Sequence, residues 1–111
     1  VTTLSFGKLH FRSDEDDNGF SREILPMHVV GKKGWTEGLL REEPPHYEAT
    51  KELAEDVGSG ETEYSRYDRA VANAASEWLQ HDASNERPWA AFVSFVTPHY
   101  PLRAPEPFMQ H

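Results

Sequence analysis

The chain contains no cysteine among its 111 residues. A disulfide framework and a cysteine-ligated metal site are therefore both excluded, and the redox compartment stays open. No apolar run approaches the roughly 18 residues of a membrane-spanning helix, so no membrane span is expected. Positive charge is scarce as well. The chain has 11 Lys and Arg but 19 Asp and Glu, which gives a net charge of −8. This excess of acid opposes binding to nucleic acid, which requires a positive field.

Apolar residues are also few. They make up 37% of the chain, below the roughly 45–50% of typical globular domains. We therefore expect a thin core and apolar surfaces that further chain would cover. The sequence starts at Val1 without a methionine and ends in a proline-rich stretch, and we interpret it as an internal piece of a longer domain.

Two apolar runs predict strands. The first covers about residues 2–6 and is broken by Gly7; the second covers about residues 89–96. The second run is apolar on both faces, which is typical of a central parallel strand. Between them, helical spacing of apolar residues from Tyr67 to Leu79 predicts a helix over about residues 64–81, with Ser65 able to cap its start.

The stretch over about residues 11–63 is the least regular part of the chain. Pro26 argues against a central strand there, and helical spacing predicts a further helix over about residues 47–57. A connection of this length is often a lid or a binding loop. The order strand, long excursion, helix, strand predicts an α/β fold built on a βαβ unit with a mostly parallel sheet.

Basic side chains follow both predicted strands. Lys8 and His10 come after the first, and His99 comes after the second between two prolines that restrict the loop. Because the carboxyl ends of parallel strands meet at one edge, the three side chains could converge where α/β sheets bind ligands. Lys suits an oxyanion, and His can transfer a proton near neutral pH. The alternative is an exposed Lys, a capping His and a rigid turn.

Several other residues could have either a functional or a purely structural role. Residues 14–17 are acidic but lack the Glu that a calcium loop carries at its twelfth position. Trp35 and its neighbouring glycines could line a substrate entrance or simply pack a loop, and no serine has a nucleophile-elbow motif. No metal ligand is assigned, because four histidines have no partner at metal-ligand spacing: His28, His46, His81 and His111.

Read together, the two basic motifs resemble a known family. Residues 2–11, which contain Gly7-Lys8-Leu9-His10, resemble the Gly-Lys-x-His segment of type I sulfatases. Residues 89–101 resemble their second signature, an apolar strand that ends in Pro-His-x-Pro. The segments at residues 18–20 and 67–71 are also similar, and the likeness is closest to the choline-sulfatase-like branch.

The resemblance implies an alkaline-phosphatase-like α/β sandwich that hydrolyses a small anionic sulfate ester. The family uses a formylglycine, made within a Cys/Ser-x-Pro-x-Arg motif, and a divalent metal, usually calcium. Carried over by motif, Lys8 would bind sulfate and the formylglycine hydroxyl. His10 would orient or deprotonate the formylglycine diol, and His99 would contact sulfate and assist the leaving oxygen.

This sequence departs from the family pattern in three places. The nucleophile motif, the paired acidic metal ligands and the later Asp-Asn or Asp-His motif are all absent from it. The chain would thus carry part of an active site, with no turnover alone. Two alternatives stay open: a phosphonate or phosphodiester hydrolase of the same superfamily, and an acidic, non-catalytic interaction module. Oligomeric state is not indicated.

Overall fold

The computed structural model describes residues 1–27, 51, 55–85 and 88–109. Its elements, in chain order, are β1 (Thr2–Lys8), β2 (Arg22–Met27), β3 (Val57–Ser59), α1 (Glu63–His81), β4 (Trp89–Ser94), β5 (Leu102–Ala104) and a 3₁₀ helix (Glu106–Phe108). Three strands form a parallel sheet in the order β2-β1-β4, and β3 pairs in parallel with β5. The predicted α/β class with mostly parallel strands is therefore confirmed.

The centre of the three-stranded sheet is β1. Leu4 and Phe6 are buried on it against Val71, Ala75 and Trp78 of α1, and the rings of Phe6 and Trp78 lie 6.0 Å apart. These are the helix positions that the apolar spacing predicted, except that Leu79 is exposed. A cluster of this size is the thin core expected from the composition. Among the described residues, no helix is long and apolar enough to cross a membrane.

Helix α1 begins one residue earlier than predicted, and its cap is different. Thr62 is the N-cap, and its hydroxyl accepts a hydrogen bond from the Ser65 backbone N–H at 3.0 Å. The Ser65 hydroxyl in turn lies 2.8 Å from the Thr62 N–H, which completes a reciprocal capping box. The prediction that Ser65 itself caps the helix is wrong because Ser65 already has helical geometry.

Strand β4 is parallel to β1, as predicted, but its position in the sheet is not the expected one. It lies at an edge of the described sheet and ends at Ser94, two residues before Val96. Most of its residues are exposed, including Phe92 and Val93. The prediction of a central strand buried on both faces is wrong for the described residues, since α1 covers one side of the sheet and β1 pairs along one edge only.

The stretch over residues 11–63 has more regular structure than predicted, because it contains β2 and β3. Pro26 lies in β2, and β2 is an edge strand, where a missing N–H is tolerated. The helix predicted over residues 47–57 falls largely outside the described residues, although Val57 begins β3. Trp35, His28, His46 and His111 also lie outside them.

Candidate functional site

Lys8 is the last residue of β1, not the first residue after it. The strand continues through Gly7, whose φ of 96° lies in the left-handed region. A Cβ at Gly7 would come within 2.1 Å of the Ser94 backbone oxygen and 3.1 Å of the Val71 side chain. Only glycine lets β1, β4 and α1 approach this closely. The expectation that Gly7 breaks the strand is therefore wrong, because it permits close packing instead.

The residues after Lys8 are held by β2. Leu9 is buried and donates its backbone N–H to the Met27 carbonyl at 3.0 Å. Lys8 and His10 both line one cavity, together with Leu9 between them. The spacing of two residues thus does bring these two predicted site residues to one place.

A bulge in β2 lies beside Lys8. Phe6 pairs with Ile24, whereas Lys8 pairs with Met27, so that Gly7 faces both Leu25 and Pro26. Leu25 has a φ of 53°, which is uncommon for a residue with a side chain. Bulges of this kind are often found next to functional sites, where they re-aim a side chain.

The segment after β4 is held by a carboxylate on α1. The Val96 and Thr97 backbone N–H groups donate to the two oxygens of Asp68, at 2.7 and 2.9 Å. The His99 N–H then donates to the Val96 carbonyl at 2.9 Å and closes a turn. This turn places His99 at the same edge of the sheet as Lys8, because β1 and β4 are parallel and Gly7 pairs with Ser94.

The His99 ring is fixed by its neighbours although it is exposed. It meets the Tyr64 ring edge-on at a centroid distance of 5.8 Å and the Tyr100 ring at 6.2 Å. Its Nδ1 lies 3.1 Å from the Tyr100 carbonyl oxygen. Because a carbonyl only accepts, Nδ1 carries the proton in this contact, and Nε2 is the nitrogen left to exchange a proton with a ligand.

A cavity of about 530 Å³ lies at the carboxyl end of β1. This volume is within the range of small-molecule sites. Its polar groups come from Lys8, His10 and Ser94, and the rest of its lining is apolar and largely aromatic: Leu9, Phe11, Phe20, Phe92 and Phe95. The cavity therefore offers the Lys8 cation beside apolar and aromatic side chains, at a surface that is open to solvent.

His99 is not among the residues that line this cavity. The structure therefore brings Lys8 and His10 together and places His99 at the end of the adjacent strand, against tyrosines. No cluster of three or more potential metal ligands occurs within residues 1–27, 51, 55–85 and 88–109.

Sequence reasoning missed two parts of this region. The phenylalanines of the cavity come from the loop after β1, the loop before β2, strand β4 and the residue that follows β4, so no local pattern connects them. Asp68 was also not predicted to hold the segment after β4. Its actual partners lie 28 and 29 residues further along the chain. One sequence signal could have pointed to this role of Asp68. It is an Asp in the first two turns of a helix whose N-cap is already a threonine, so that the Asp is not needed as the cap.

Comparisons of the chain with protein-family models, with curated proteins and with solved structures find no match. The likeness to type I sulfatases therefore rests on the residues of the sequence motifs alone.

Proposed function

We propose that the chain is part of a sulfuric ester hydrolase that cleaves a sulfate monoester. The observation that carries the proposal is the joint placement of Lys8 and His10 in one cavity at the carboxyl edge of a parallel sheet. The Pro98-His99-Tyr100-Pro101 loop follows the neighbouring parallel strand. Both motifs of the resemblance thus lie at the edge where α/β folds bind their ligands.

Each of the three residues has a distinct part in this proposal. The Lys8 ammonium neutralises charge on the sulfate oxygens, which is the main requirement for holding a dianion-like transition state. His10 lies two residues away, within the same cavity, and moves the proton of the attacking group. His99 offers Nε2 to the ester oxygen and gives it a proton as the bond to sulfur breaks.

The remaining parts of the site lie outside residues 1–111 in this proposal. A formylglycine would supply the attacking oxygen, and a divalent cation, calcium by the resemblance, would add positive charge at the sulfate. By the resemblance, the cation's ligands belong to segments outside residues 1–111.

The decisive experiment is to sequence the coding region upstream of Val1. The proposal expects an in-frame Cys/Ser-x-Pro-x-Arg motif there, preceded by a pair of acidic residues. An open reading frame without that motif would overturn it. Incubating the 111-residue chain with an aryl sulfate is the complementary assay, and we expect no sustained hydrolysis.

A phosphonate or phosphodiester hydrolase would use the same cationic residues. Kinetic assays of the longer protein distinguish the two reactions. The proposal expects a higher kcat/KM for a sulfate monoester than for a phosphodiester with the same leaving group. The opposite order would assign the site to the phosphoryl reaction.

A further inference from the structure

Two consecutive residues of α1 contact the two outer strands of the sheet. Tyr67 donates its hydroxyl to the Leu25 carbonyl of β2 at 2.5 Å. Asp68 accepts the N–H groups of Val96 and Thr97 beyond the end of β4. Between these contacts, α1 packs on β1 through Val71, which is fully buried. One turn of helix therefore touches both flanks of the strand that carries Lys8.

We propose that Tyr67 and Asp68 are positioning residues that hold the carboxyl ends of β2 and β4 in place around Lys8, His10 and His99. The positioning role rests on the proposed function, whereas the contacts of Tyr67 and Asp68 are features of the structure whatever the function is. The two side chains do not act on a substrate in this account. They hold in place the backbone that carries Lys8, His10 and His99, and these three residues would act on the substrate.

The chemistry of Asp68 suits this task. The Val96 and Thr97 N–H groups lie past the last residue of β4, where the β1 ladder no longer supplies acceptors. A carboxylate offers two equivalent oxygens to two successive N–H groups, and charge-assisted hydrogen bonds of this kind are about twice as strong as neutral ones. An asparagine could accept only one of them and would turn an NH₂ group toward the other N–H.

The same helix face also contacts the His99 ring. Tyr64 lies one turn before Asp68, at the i, i+4 spacing that puts two side chains side by side. Tyr64 meets the imidazole edge-on while Asp68 holds the backbone two to three residues earlier. Backbone and ring of the loop are thus both oriented by α1.

Tyr67 acts on the opposite flank. Its hydroxyl reaches the carbonyl of the one non-glycine residue that has a positive φ among the described residues, Leu25. That residue belongs to the bulge that shifts the pairing from Phe6 to Lys8. The hydrogen bond favours the bulged conformation and with it the pairing of Lys8 with Met27.

Amide hydrogen exchange by NMR on the full 111-residue chain tests the proposal. We expect Asp68→Ala to accelerate exchange of both the Val96 and the Thr97 amides at least tenfold, and Asp68→Asn to accelerate one of them, with Leu9 unchanged in both variants. Tyr67→Phe should accelerate Leu9 severalfold and leave Thr97 unchanged. Glu77→Gln, which removes the same charge from an exposed position on α1, is the matched control and should change none of them.

Two hydrogen-exchange results would overturn the proposal. One is unchanged exchange at Thr97 in Asp68→Ala. The other is equal acceleration at the core amides of Leu4 and Val71, since Asp68 would then support only global stability. Sulfate titration in the same samples separates this proposal from the proposed function. If the wild-type His99 signal does not shift with sulfate, the proposed function alone is contradicted, and hydrogen exchange still decides the positioning role. If the wild-type signal does shift, an identical shift in Asp68→Asn contradicts the positioning role.

Discussion

Strands β1 and β4 pair with each other residue by residue but differ sharply in burial. Phe6 of β1 is 2% exposed, whereas Phe92 of β4 is 51% exposed. Composition alone would suggest the opposite, because five of the six residues of β4 are apolar but only two of the seven in β1. The difference comes from position, because β1 has strands on both sides and α1 above it, while β4 has a described strand on one side only.

This comparison shows what apolar composition predicts and what it leaves open. A run of apolar residues identified both strands, but it did not distinguish the centre of the sheet from its edge. An exposed apolar edge strand is a surface that pairs readily with further chain. The stability of the described fold should therefore depend on β1 and α1 far more than on β4.

The largest expected effect comes from truncating one phenylalanine on each of the two strands. We expect Phe6→Ala to lower the free energy of unfolding by about 3–5 kcal/mol, the usual cost of emptying a buried phenylalanine site. Phe92→Ala should cost less than about 1.5 kcal/mol, since half of the ring is already in water. Urea unfolding measures both, and equal costs would break the contrast between the strands.

A second pair of variants tests how closely β1 approaches β4. Gly7→Ala should combine about 1–2 kcal/mol for a left-handed alanine with about 1–3 kcal/mol for overpacking against the Ser94 carbonyl. Gly19→Ala is the matched control, because Gly19 also has a positive φ but has open space around it. Only the first cost applies to Gly19, and similar unfolding midpoints for the two variants would contradict the close approach.

The smallest effect concerns the other flank of β1 and depends on pH. Burial raises the pKa of the Tyr67 phenol to about 12, and the negative charge of Asp68 adds to the shift. A raised pKa means that the folded state favours the neutral phenol. Its contribution to stability is therefore complete below about pH 10 and is lost as the pH rises toward about 12.

Unfolding experiments on wild type and Tyr67→Phe check this pH dependence. The stability difference between the two proteins should shrink between about pH 10 and about pH 12, as phenolate absorbance develops. A difference that stays constant through this range would show that Tyr67 ionises as readily in the folded chain as in the unfolded one.

Much of the fold could be predicted from local patterns. The i, i+4 spacing located α1 because one helix face packs on one sheet, and the parallel orientation of β1 and β4 followed from the βαβ arrangement. Strand β2 was missed because Pro26 excludes a central strand but not an edge strand. Strands β3 and β5 were missed because three residues carry no periodicity.

The candidate site was predictable to a similar degree. Lys8 and His10 are neighbours in sequence and share a strand end, so their proximity follows from local geometry. The contacts of His99 do not follow from local geometry, because the Tyr64 ring and the Asp68 carboxylate reach its loop from helix α1. Every residue except proline has a backbone N–H, so the sequence does not show which distant N–H groups the Asp68 carboxylate will bind.

The central claim is that the ends of β1 and β4 form one anion-binding surface. Titrating the ¹⁵N-labelled chain with sodium sulfate, against sodium chloride at equal ionic strength, tests it most directly. We predict that Lys8, His10 and His99 signals shift with one common dissociation constant.

A variant pair controls for charge in the same titration. Lys8→Ala should weaken the sulfate response at His99 as well as at His10. Arg22→Ala, which removes a positive charge where β2 begins, should leave it unchanged. Equal shifts in chloride, or different dissociation constants for His99 and Lys8, would contradict the claim.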